Sequence, residues 1–319
     1  MSFSVNKLSL PVICSPMFIV TGPQMVIAAC RSGIVGALPS LNQRSADGYE
    51  RWLEAVAAGL AEGPAPGVRD VAPFAVNLNV HKTNPRHDAD LALTVKHRVP
   101  VVITSLGAVR EVVDAIHEYG GTVFHDVIST RHAEKAIEAG VDGLIAVSGG
   151  AGGHSGTLHP FSFLSELRQM TDKLLVLAGA ISTGRHIAAA LMAGADMVSV
   201  GTRFIATKES QAQEDYKRML VEARAGDIVL TSKLTGVNAT FMAQSLERNG
   251  IDLAKMGEHG PASMEVEMAP TSKAWRDIWS AGHGVGSISD VPSMAELVAR
   301  LRSEYREARR LSLPMFAGE

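Results

Sequence analysis

The residues with the clearest chemical potential lie in one glycine-rich segment, residues 141–156, VDGLIAVSGGAGGHSG. A short apolar run, residues 143–147, predicts a buried strand, and a loop with five glycines and His154 follows it. Glycine lets a backbone pass close to a flat ligand or adopt a positive φ without strain. An imidazole just past a strand end can take up or release a proton near neutral pH. On these residues alone, a catalytic loop and a flexible surface turn with an incidental histidine are equally compatible.

A regular alternation of strand and helix patterns must position this loop. Short apolar runs predict strands over 11–17, 34–39, 73–78, 100–105, 122–127, 143–147, 174–178 and 197–200. Helical patterns lie between them, over 22–32, 46–61, 90–97, 108–119, 130–139, 161–170 and 184–193. Eight such repeats predict an α/β fold with a parallel sheet closed as a (β/α)8 TIM barrel. An open, doubly wound sheet is the alternative, which the lack of a glycine fingerprint in the first βα unit disfavours.

The chain after the eighth predicted strand does not follow this rhythm. We therefore predict a barrel over residues 1–210, a small, mainly helical cap with a mouth-closing loop over 211–285, and a C-terminal helix in 286–319 that packs back on the barrel. Periodic apolar residues predict helices over 211–225 and 294–310. We expect Trp275 and Trp279 to pack within the cap rather than on a ligand.

Composition excludes several classes of protein. The chain has 319 residues, 46% of them hydrophobic, and a net charge of −3 without any Lys/Arg run, which argues against binding to nucleic acid. Cys14 and Cys30 form neither a metal spacing nor a disulfide framework, and no histidine pairs with an acid at metal spacing, so we expect no metal. We see no signal peptide and no apolar run of about 20 residues, so we expect a cytoplasmic protein without membrane contact. A homodimer is left open.

The loops after the seventh and eighth predicted strands suggest a phosphate site. They read AGAISTG, residues 178–184, and GTRF, residues 201–204. Barrels of this class bind phosphate at these two loops through backbone N–H groups and a helix N-terminus. Gly179, Gly201 and both the N–H and the hydroxyl of Thr202 suit that role. The alternative is that the glycines only tighten turns, and a phosphate alone does not separate a flavin from a phosphosugar.

Seven segments then carry a family resemblance, in the order PVICSPM, FAVNLN, VFHDV, GGAGGHSG, LAGAISTG, VSVGTRFIATKES and IWSAGHGVG. The chain resembles the FMN-dependent nitronate monooxygenases, formerly called 2-nitropropane dioxygenases. That family also contains NAD(P)H:quinone reductases and is related to flavin-dependent enoyl-ACP reductases. The resemblance covers essentially the whole chain. The AGGH loop and the GTRFxAxxE run are its specific parts.

The resemblance implies FMN as cofactor and a role for each matching residue. The backbone of Pro16, Met17 and Phe18 would run along the flavin ring, with Asn79 approaching from the third strand and Gly152 and Gly153 passing close. The FMN phosphate would be held by Ala178, Gly179, Ala180, Gly201 and Thr202, and His154 would be catalytic. Asn77 and Asp126 are further cofactor-binding candidates at strand ends. His125 could contact a ligand or be a satisfied core histidine.

The implied activity is the oxidation of alkyl nitronates by O2 to a carbonyl compound and nitrite. The alternative is an NAD(P)H-dependent flavin reductase of quinones or enoyl thioesters. Neutral His154 would take the α-proton of a nitroalkane, and protonated His154 would stabilise an anionic nitro group.

Two positions depart from the family pattern. Asp126 stands where some members have Lys, and Ala180 where a second glycine is usual. A phosphosugar isomerase would need a lysine or a carboxylate pair at the strand ends, where we find only Asp126. We also expect Arg203 and Glu209 to form an ion pair.

Overall fold

Eight parallel strands close into a barrel in the computed structural model, which describes residues 3–107, 109–256 and 275–312. The strands are β1 (Val12–Cys14), β2 (Val35–Pro39), β3 (Phe74–Asn79), β4 (Val101–Ser105), β5 (Thr122–Val127), β6 (Gly143–Val147), β8 (Leu174–Ala178) and β9 (Met197–Val200). They follow one another in this order, and β1 closes on β9 with Cys14 beside Val200. The two-residue β7 (Gly153–His154) lies outside the barrel. The predicted TIM barrel is confirmed, and the open sheet is wrong.

The helices that surround and extend the barrel begin mostly where the sequence predicts. They are α1 (Pro23–Arg31), α2 (Ala46–Leu60), α3 (His87–Lys96), α4 (Arg110–Glu118), α5 (Thr130–Ala139), α6 (Pro160–Met170), α7 (Gly184–Met192), α8 (Thr202–Ile205), α9 (Glu214–Glu222), α10 (Ala243–Arg248) and α11 (Met294–Ser312). The side chains of Ser45, Ser129 and Thr183 cap α2, α5 and α7 by accepting a backbone N–H. Helix α3 begins three residues before its predicted start at residue 90.

Side chains inside the barrel form layers, because every second strand residue points inward. One apolar layer contains Ile13, Ala37, Ala75, Ile103, Phe124, Ile145, Val176 and Met197. Two residues further along each strand the inward layer becomes polar in part. It consists of Ser15, Pro39, Asn77, Ser105, Asp126, Val147, Ala178 and Ser199, which all line a cavity at the strand ends. We call these eight residues the cavity floor.

The last helix occupies the position of the outer barrel helix that follows the eighth strand. Helix α11 packs against both α7 and α1. Its contact with α7 is close, since a Cβ on Gly184 would lie 2.3 Å from the carbonyl oxygen of Leu301. The Gly184 N–H also donates to Oε2 of Glu304 at 2.7 Å. Residues 206–293 are therefore an insertion between the last strand and the last helix. The predicted division into three units stays a prediction.

The described part of the insertion contains α9, α10 and an antiparallel hairpin, β10 (Ile228–Thr231) and β11 (Ala239–Met242). Strand β11 also pairs with β7, which places Ala239 opposite His154. The predicted cap did not include these strands, since four-residue runs carry no periodic signal. Residues 257–274 of the predicted cap and 313–319 of the predicted C-terminal unit lie outside the described residues. Among the described helices, none combines the length and apolar character that a membrane span requires.

Candidate active site

A cavity of about 970 Å³ lies at the C-terminal ends of the barrel strands, where barrels of this class have their active sites. The insertion and the loops cover the cavity floor, and they contribute Gly153, His154, Tyr216, Asn238 and Trp275 to its wall. The structure brings every residue of the predicted site to this cavity: Pro16, Met17, Phe18, Asn77, Asn79, Asp126, Gly152, Gly153, His154, Ala178, Gly179, Ala180, Gly201 and Thr202. Their individual roles stay predictions.

The loop after β1 is held in shape by a side chain that sequence analysis missed. Asn42 donates from Nδ2 to the carbonyl oxygen of Met17 at 3.1 Å, and its Oδ1 accepts the N–H of Ile19 at 2.9 Å. The Met17 N–H donates to Oγ1 of Thr21 at 3.0 Å. Ile19 has a φ of 66°, a conformation that an L-residue keeps only when its surroundings impose it. The loop therefore presents a fixed backbone edge to the cavity.

The glycine-rich loop after β6 is in direct backbone contact with the loop that leaves the insertion. A Cβ on Gly282 would lie 2.4 Å from the carbonyl oxygen of Gly150. That oxygen accepts the N–H of His283 at 3.0 Å, and Oγ of Ser280 accepts the N–H of Gly153 at 2.8 Å. Glycine is needed at position 282 because only hydrogen leaves room for this approach.

Two open backbone donors lie at the ends of β8 and β9. In the described part of the chain, the N–H groups of Gly179 and Gly201 donate no hydrogen bond. Gly179 has a φ of 137°, and a Cβ there would lie 2.3 Å from Oγ of Ser148. Both glycines line the cavity, so their N–H groups are available to an anion bound there.

Two hydroxyl groups extend this set of donors. Oγ1 of Thr202 accepts the N–H of Gly282 at 2.9 Å, which leaves its own proton to donate. Oγ of Ser182 is buried and has no hydrogen-bond partner among the described residues. Because an unpaired buried hydroxyl is unfavourable, Ser182 indicates a missing polar partner at this wall of the cavity. Sequence analysis missed Ser182, since a serine in a βα turn carries no signal of its own.

Ala180 contributes to the site through its backbone shape. Its φ is 54°, which explains why a glycine is usual in the family at this position. Its N–H donates to the carbonyl oxygen of Gly150 at 3.2 Å. That N–H is therefore engaged within the protein, which limits the predicted role of Ala180 in binding phosphate.

His154 is positioned by backbone pairing between the glycine-rich loop and the insertion. Besides the pairing of β7 with β11, Ser155 donates its N–H to the carbonyl oxygen of Asn238 at 3.0 Å. The imidazole meets the ring of Trp275 edge-on, with centroids 5.2 Å apart. Trp275 thus lines the cavity as well as packing in the insertion. Trp279 is buried and stacks on Tyr216 with centroids 5.0 Å apart, as expected for a packing residue.

His125 and Asp126 are neighbours in β5 that face opposite sides of the sheet. His125 is buried and bonded through Nδ1 to Oγ1 of Thr104 at 2.7 Å. Burial, and secondarily nearby His132, lowers the pKa of His125 to about 4, so it is a neutral core histidine near pH 7. Asp126 points into the cavity, and burial raises the pKa of its carboxyl group to about 7.

The predicted ion pair between Arg203 and Glu209 is wrong. Nη2 of buried Arg203 binds Oδ1 of Asp290 at 2.8 Å. The carboxylate of Glu209 instead accepts the N–H of Met294 at the start of α11. Each of these two contacts joins residues more than 80 positions apart in the sequence, so sequence spacing could not reveal them.

One group of possible metal ligands among the described residues lies outside the cavity lining. Glu50, Glu54 and His97 could reach a common point. Glu50 already accepts hydrogen bonds from Nζ of Lys96 at 2.7 Å and from Nε2 of His97 at 2.9 Å. These contacts give the Glu50 carboxylate partners without an ion.

The closed barrel and the glycine-lined cavity at its strand ends are the architecture of (β/α)8 enzymes, which have their active sites at this face. The sequence profile of the nitronate monooxygenase family matches residues 2–304, and the chain belongs to that family. Members of that family are flavin-dependent oxidoreductases.

Individual relatives agree with this assignment. A nitronate monooxygenase of Paraburkholderia phytofirmans is 26% identical over 93% of both chains. A hydroxy-methyl-oxo-octahydro-indene-carboxyl-CoA dehydrogenase of Rhodococcus jostii is 28% identical over 244 residues, which are 75% of this chain but only 65% of that relative. The crystal structure of a nitroalkane oxidase from Streptomyces ansochromogenes is 26% identical and superposes with a TM-score of 0.81, covering 97% of this chain and 99% of that one.

Proposed function

We propose that the chain binds FMN in the cavity at the strand ends and oxidises alkyl nitronates with O2 to a carbonyl compound and nitrite. The main support for the proposal is the set of residues that line this one cavity. It joins an anion-binding wall at the ends of β8 and β9 to a histidine held by the insertion. A volume of about 970 Å³ is at the upper end of the roughly 300–1,000 Å³ of small-molecule and cofactor sites.

The residues present fit FMN. The open N–H groups of Gly179 and Gly201 and the hydroxyls of Thr202 and Ser182 would hold its phosphate. The fixed loop after β1 and the glycine-rich loop after β6 would leave a narrow space for its ring. FMN supplies the redox chemistry when bound, and the protein supplies position and electrostatics.

His154 handles the proton in this proposal. Its ring is confined between the cavity and Trp275, so its nitrogen atoms keep a defined direction. In the neutral form it accepts the α-proton of a nitroalkane, and in the protonated form it stabilises the negative charge on the nitro oxygens. The insertion covers this part of the cavity and limits access of water.

A reductase of thioesters is the second candidate function, and the residues along one side of the cavity favour it. The cavity continues past Asp126 to Ile128, His132 and Lys135, where α5 forms its rim. Two basic side chains beside an exposed apolar one would suit a long acyl chain with an anionic tail. The dehydrogenase relative from Rhodococcus jostii is named for a CoA thioester.

Anaerobic spectroscopy of the holoprotein separates the two functions. We expect a flavin spectrum that is reduced by ethylnitronate and unaffected by NADH, with nitrite formed once O2 is admitted. Reduction by NADH alone, without nitrite, would establish the reductase. The absence of flavin even after incubation with FMN would refute the cofactor proposal.

A pair of histidine variants tests the proposed base. His154→Asn should keep FMN bound and lower kcat/KM for neutral nitroethane by about 10²-fold or more, since general-base catalysis contributes about 10²–10⁴. Turnover of preformed nitronate should fall less, because no α-proton remains to be removed. The matched control is His159→Asn, since His159 is exposed at the start of α6. Equal losses in the two variants would remove His154 from the mechanism.

A further inference from the structure

Asp126 is the one ionisable residue of the cavity floor, and it lacks the internal partners that the other polar floor residues have. Oγ of Ser15 and Oγ of Ser199 are 2.7 Å apart and share a hydrogen bond. Nδ2 of Asn77 donates to Oγ of Ser105 at 3.2 Å. Within the described ranges, the Asp126 carboxyl group makes neither a hydrogen bond nor an ion pair. A polar group placed in this way indicates a partner that enters the cavity.

Among the described residues, the elements packed against Asp126 place no cationic side chain in contact with its carboxyl group. In β6 its register partner is Ile145, with Val147 beyond, and β4 contributes the hydroxyl of Ser105. His125, the preceding residue, faces the other side of the sheet and is bonded to Thr104. Burial lowers the pKa of His125 to about 4, so it carries no charge near neutral pH.

Buried His125 also borders the cavity, and the other titratable groups that line it among the described residues lie at its rim or in the cover. His132 and Lys135 project from α5 and are exposed to solvent, so water screens their charge. His81 follows β3, and His154 belongs to the cover. With desolvation unopposed, burial raises the pKa of Asp126 to about 7. The floor thus holds a carboxyl group that is protonated under mildly acidic conditions and loses its proton as the pH rises through about 7.

On the basis of the proposed flavin site, we propose that Asp126 donates a hydrogen bond from its uncharged carboxyl group to the polar edge of the bound flavin ring and determines which charge the reduced ring can carry. An uncharged acid stabilises a ring atom that accepts a hydrogen bond. An ionised carboxylate in the same place would repel the negative charge that a reduced flavin acquires. Protonated Asp126 therefore favours the reduced ring, whereas ionised Asp126 disfavours negative charge on it, so the flavin potential is coupled to the protonation of this residue.

The test is the midpoint potential of the holoprotein between pH 5.5 and pH 9, in the wild type and in Asp126→Asn. The asparagine variant keeps a hydrogen-bond donor and cannot ionise. We expect equal potentials near pH 6 and a wild-type potential that falls below that of the variant above about pH 7. A tenfold weaker preference for the reduced form corresponds to about 30 mV for a two-electron couple, and we expect at least that gap at pH 9.

Asp114→Asn is the matched control, because Asp114 is exposed on α4 and outside the cavity lining. It makes the same side-chain substitution and should leave the potential unchanged at every pH. A gap between wild type and Asp126→Asn that is absent, or constant across the pH range, would overturn the proposal. If neither the wild type nor the variants bind FMN, the proposed function and this inference both fail. Bound flavin with pH-independent differences overturns this inference alone.

Urea unfolding of the full-length apoprotein tests the proton itself without flavin. A carboxyl pKa raised from 3.8 to about 7 on folding gives a contribution to stability that is present below about pH 4 and lost as pH rises to about 7. Asp126→Asn lacks this dependence. The urea midpoint of the variant minus that of the wild type should therefore increase from pH 4 to pH 7 and stay constant at higher pH. A constant difference would show that Asp126 is ionised throughout, which contradicts the proposed donor.

Discussion

Gly282 is the position where one added methyl group should separate the two loops that enclose the cavity. Its backbone lies against the glycine-rich loop, so that a Cβ would sit 2.4 Å from the oxygen of Gly150 and 2.8 Å from the nitrogen of Gly152. Both contacts are with backbone atoms, which cannot turn aside as a flexible side chain can. In Gly282→Ala, we expect the loops to move apart.

The magnitude follows from what this movement breaks. Inserting a methyl group into a packed site costs about 1–3 kcal/mol. The hydrogen bonds from His283 N to Gly150 O, at 3.0 Å, and from Gly282 N to Thr202 Oγ1, at 2.9 Å, would stretch or break. Each contributes about 0.5–1.5 kcal/mol. The variant should lose about 2–6 kcal/mol, divided between the free energy of unfolding and the free energy of FMN binding.

Two assays measure the two parts. Urea unfolding of the apoprotein gives the loss of stability, and quenching of FMN fluorescence on binding gives the dissociation constant. A loss of about 2 kcal/mol that appears entirely in the free energy of binding would raise the dissociation constant of FMN about 30-fold. The control is Gly226→Ala, because a Cβ on Gly226 would meet nothing within 4 Å. If Gly282→Ala unfolds at the same urea concentration as this control and binds FMN equally well, the argument from the close backbone approach is refuted.

Two further substitutions test strain and a buried charge. Ala180→Gly should raise the free energy of unfolding by about 0.5–1 kcal/mol. The substitution relieves about 1–2 kcal/mol of backbone strain at a φ of 54°, and the greater freedom of glycine in the unfolded chain offsets about 0.5–1 kcal/mol of that gain. The control Ala189→Gly, on the exposed side of α7, should lower the free energy of unfolding by about 1 kcal/mol. Arg203→Met should cost about 2–4 kcal/mol at pH 7, because it breaks the pair with Asp290. Arg300 and then Arg203 hold the pKa of Asp290 below its usual 3.8. The stabilisation is therefore present above about pH 4 and is lost as the pH falls further. If wild type and Arg203→Met differ in stability as much at pH 2 as at pH 7, this reasoning is contradicted.

The barrel could be predicted because its signals are local. Each strand is an apolar run next to a helix with a visible cap or glycine end, such as Ser129 before α5 and Gly140, with a φ of 93°, after it. The eight predicted strands match the eight barrel strands within a few residues at either end. The predicted site residues line one cavity, because parallel strands place their carboxyl ends on one side of the barrel. Their roles stay predictions.

The missed features depend on contacts between distant segments. Strand β7 has two residues, and it exists only because β11, about 85 residues later, pairs with it. Asn42 fixes the loop after β1 from 25 residues away, and Asp290 binds Arg203 across 87 residues. No periodicity marks any of these residues, because each position is determined by tertiary packing. Burial raises the pKa of Asp126, and this burial likewise depends on how the segments pack around it.

In the proposed function, the position of the insertion in the chain lets one cavity combine a cofactor site on the barrel with a substrate site under the insertion. The donors at the ends of β8 and β9 belong to the barrel, whose hydrogen-bonded ring of strands resists local movement. His154 belongs to both parts, because β7 is continuous with the barrel loop and is paired with β11 of the insertion. Oγ1 of Thr240 reinforces this link by donating to the carbonyl oxygen of Ala151 at 3.0 Å. In the proposed function, a change near β11 would therefore move His154 relative to the floor. A change at Gly282 would instead also reach the proposed phosphate site, through the hydrogen bond to Oγ1 of Thr202.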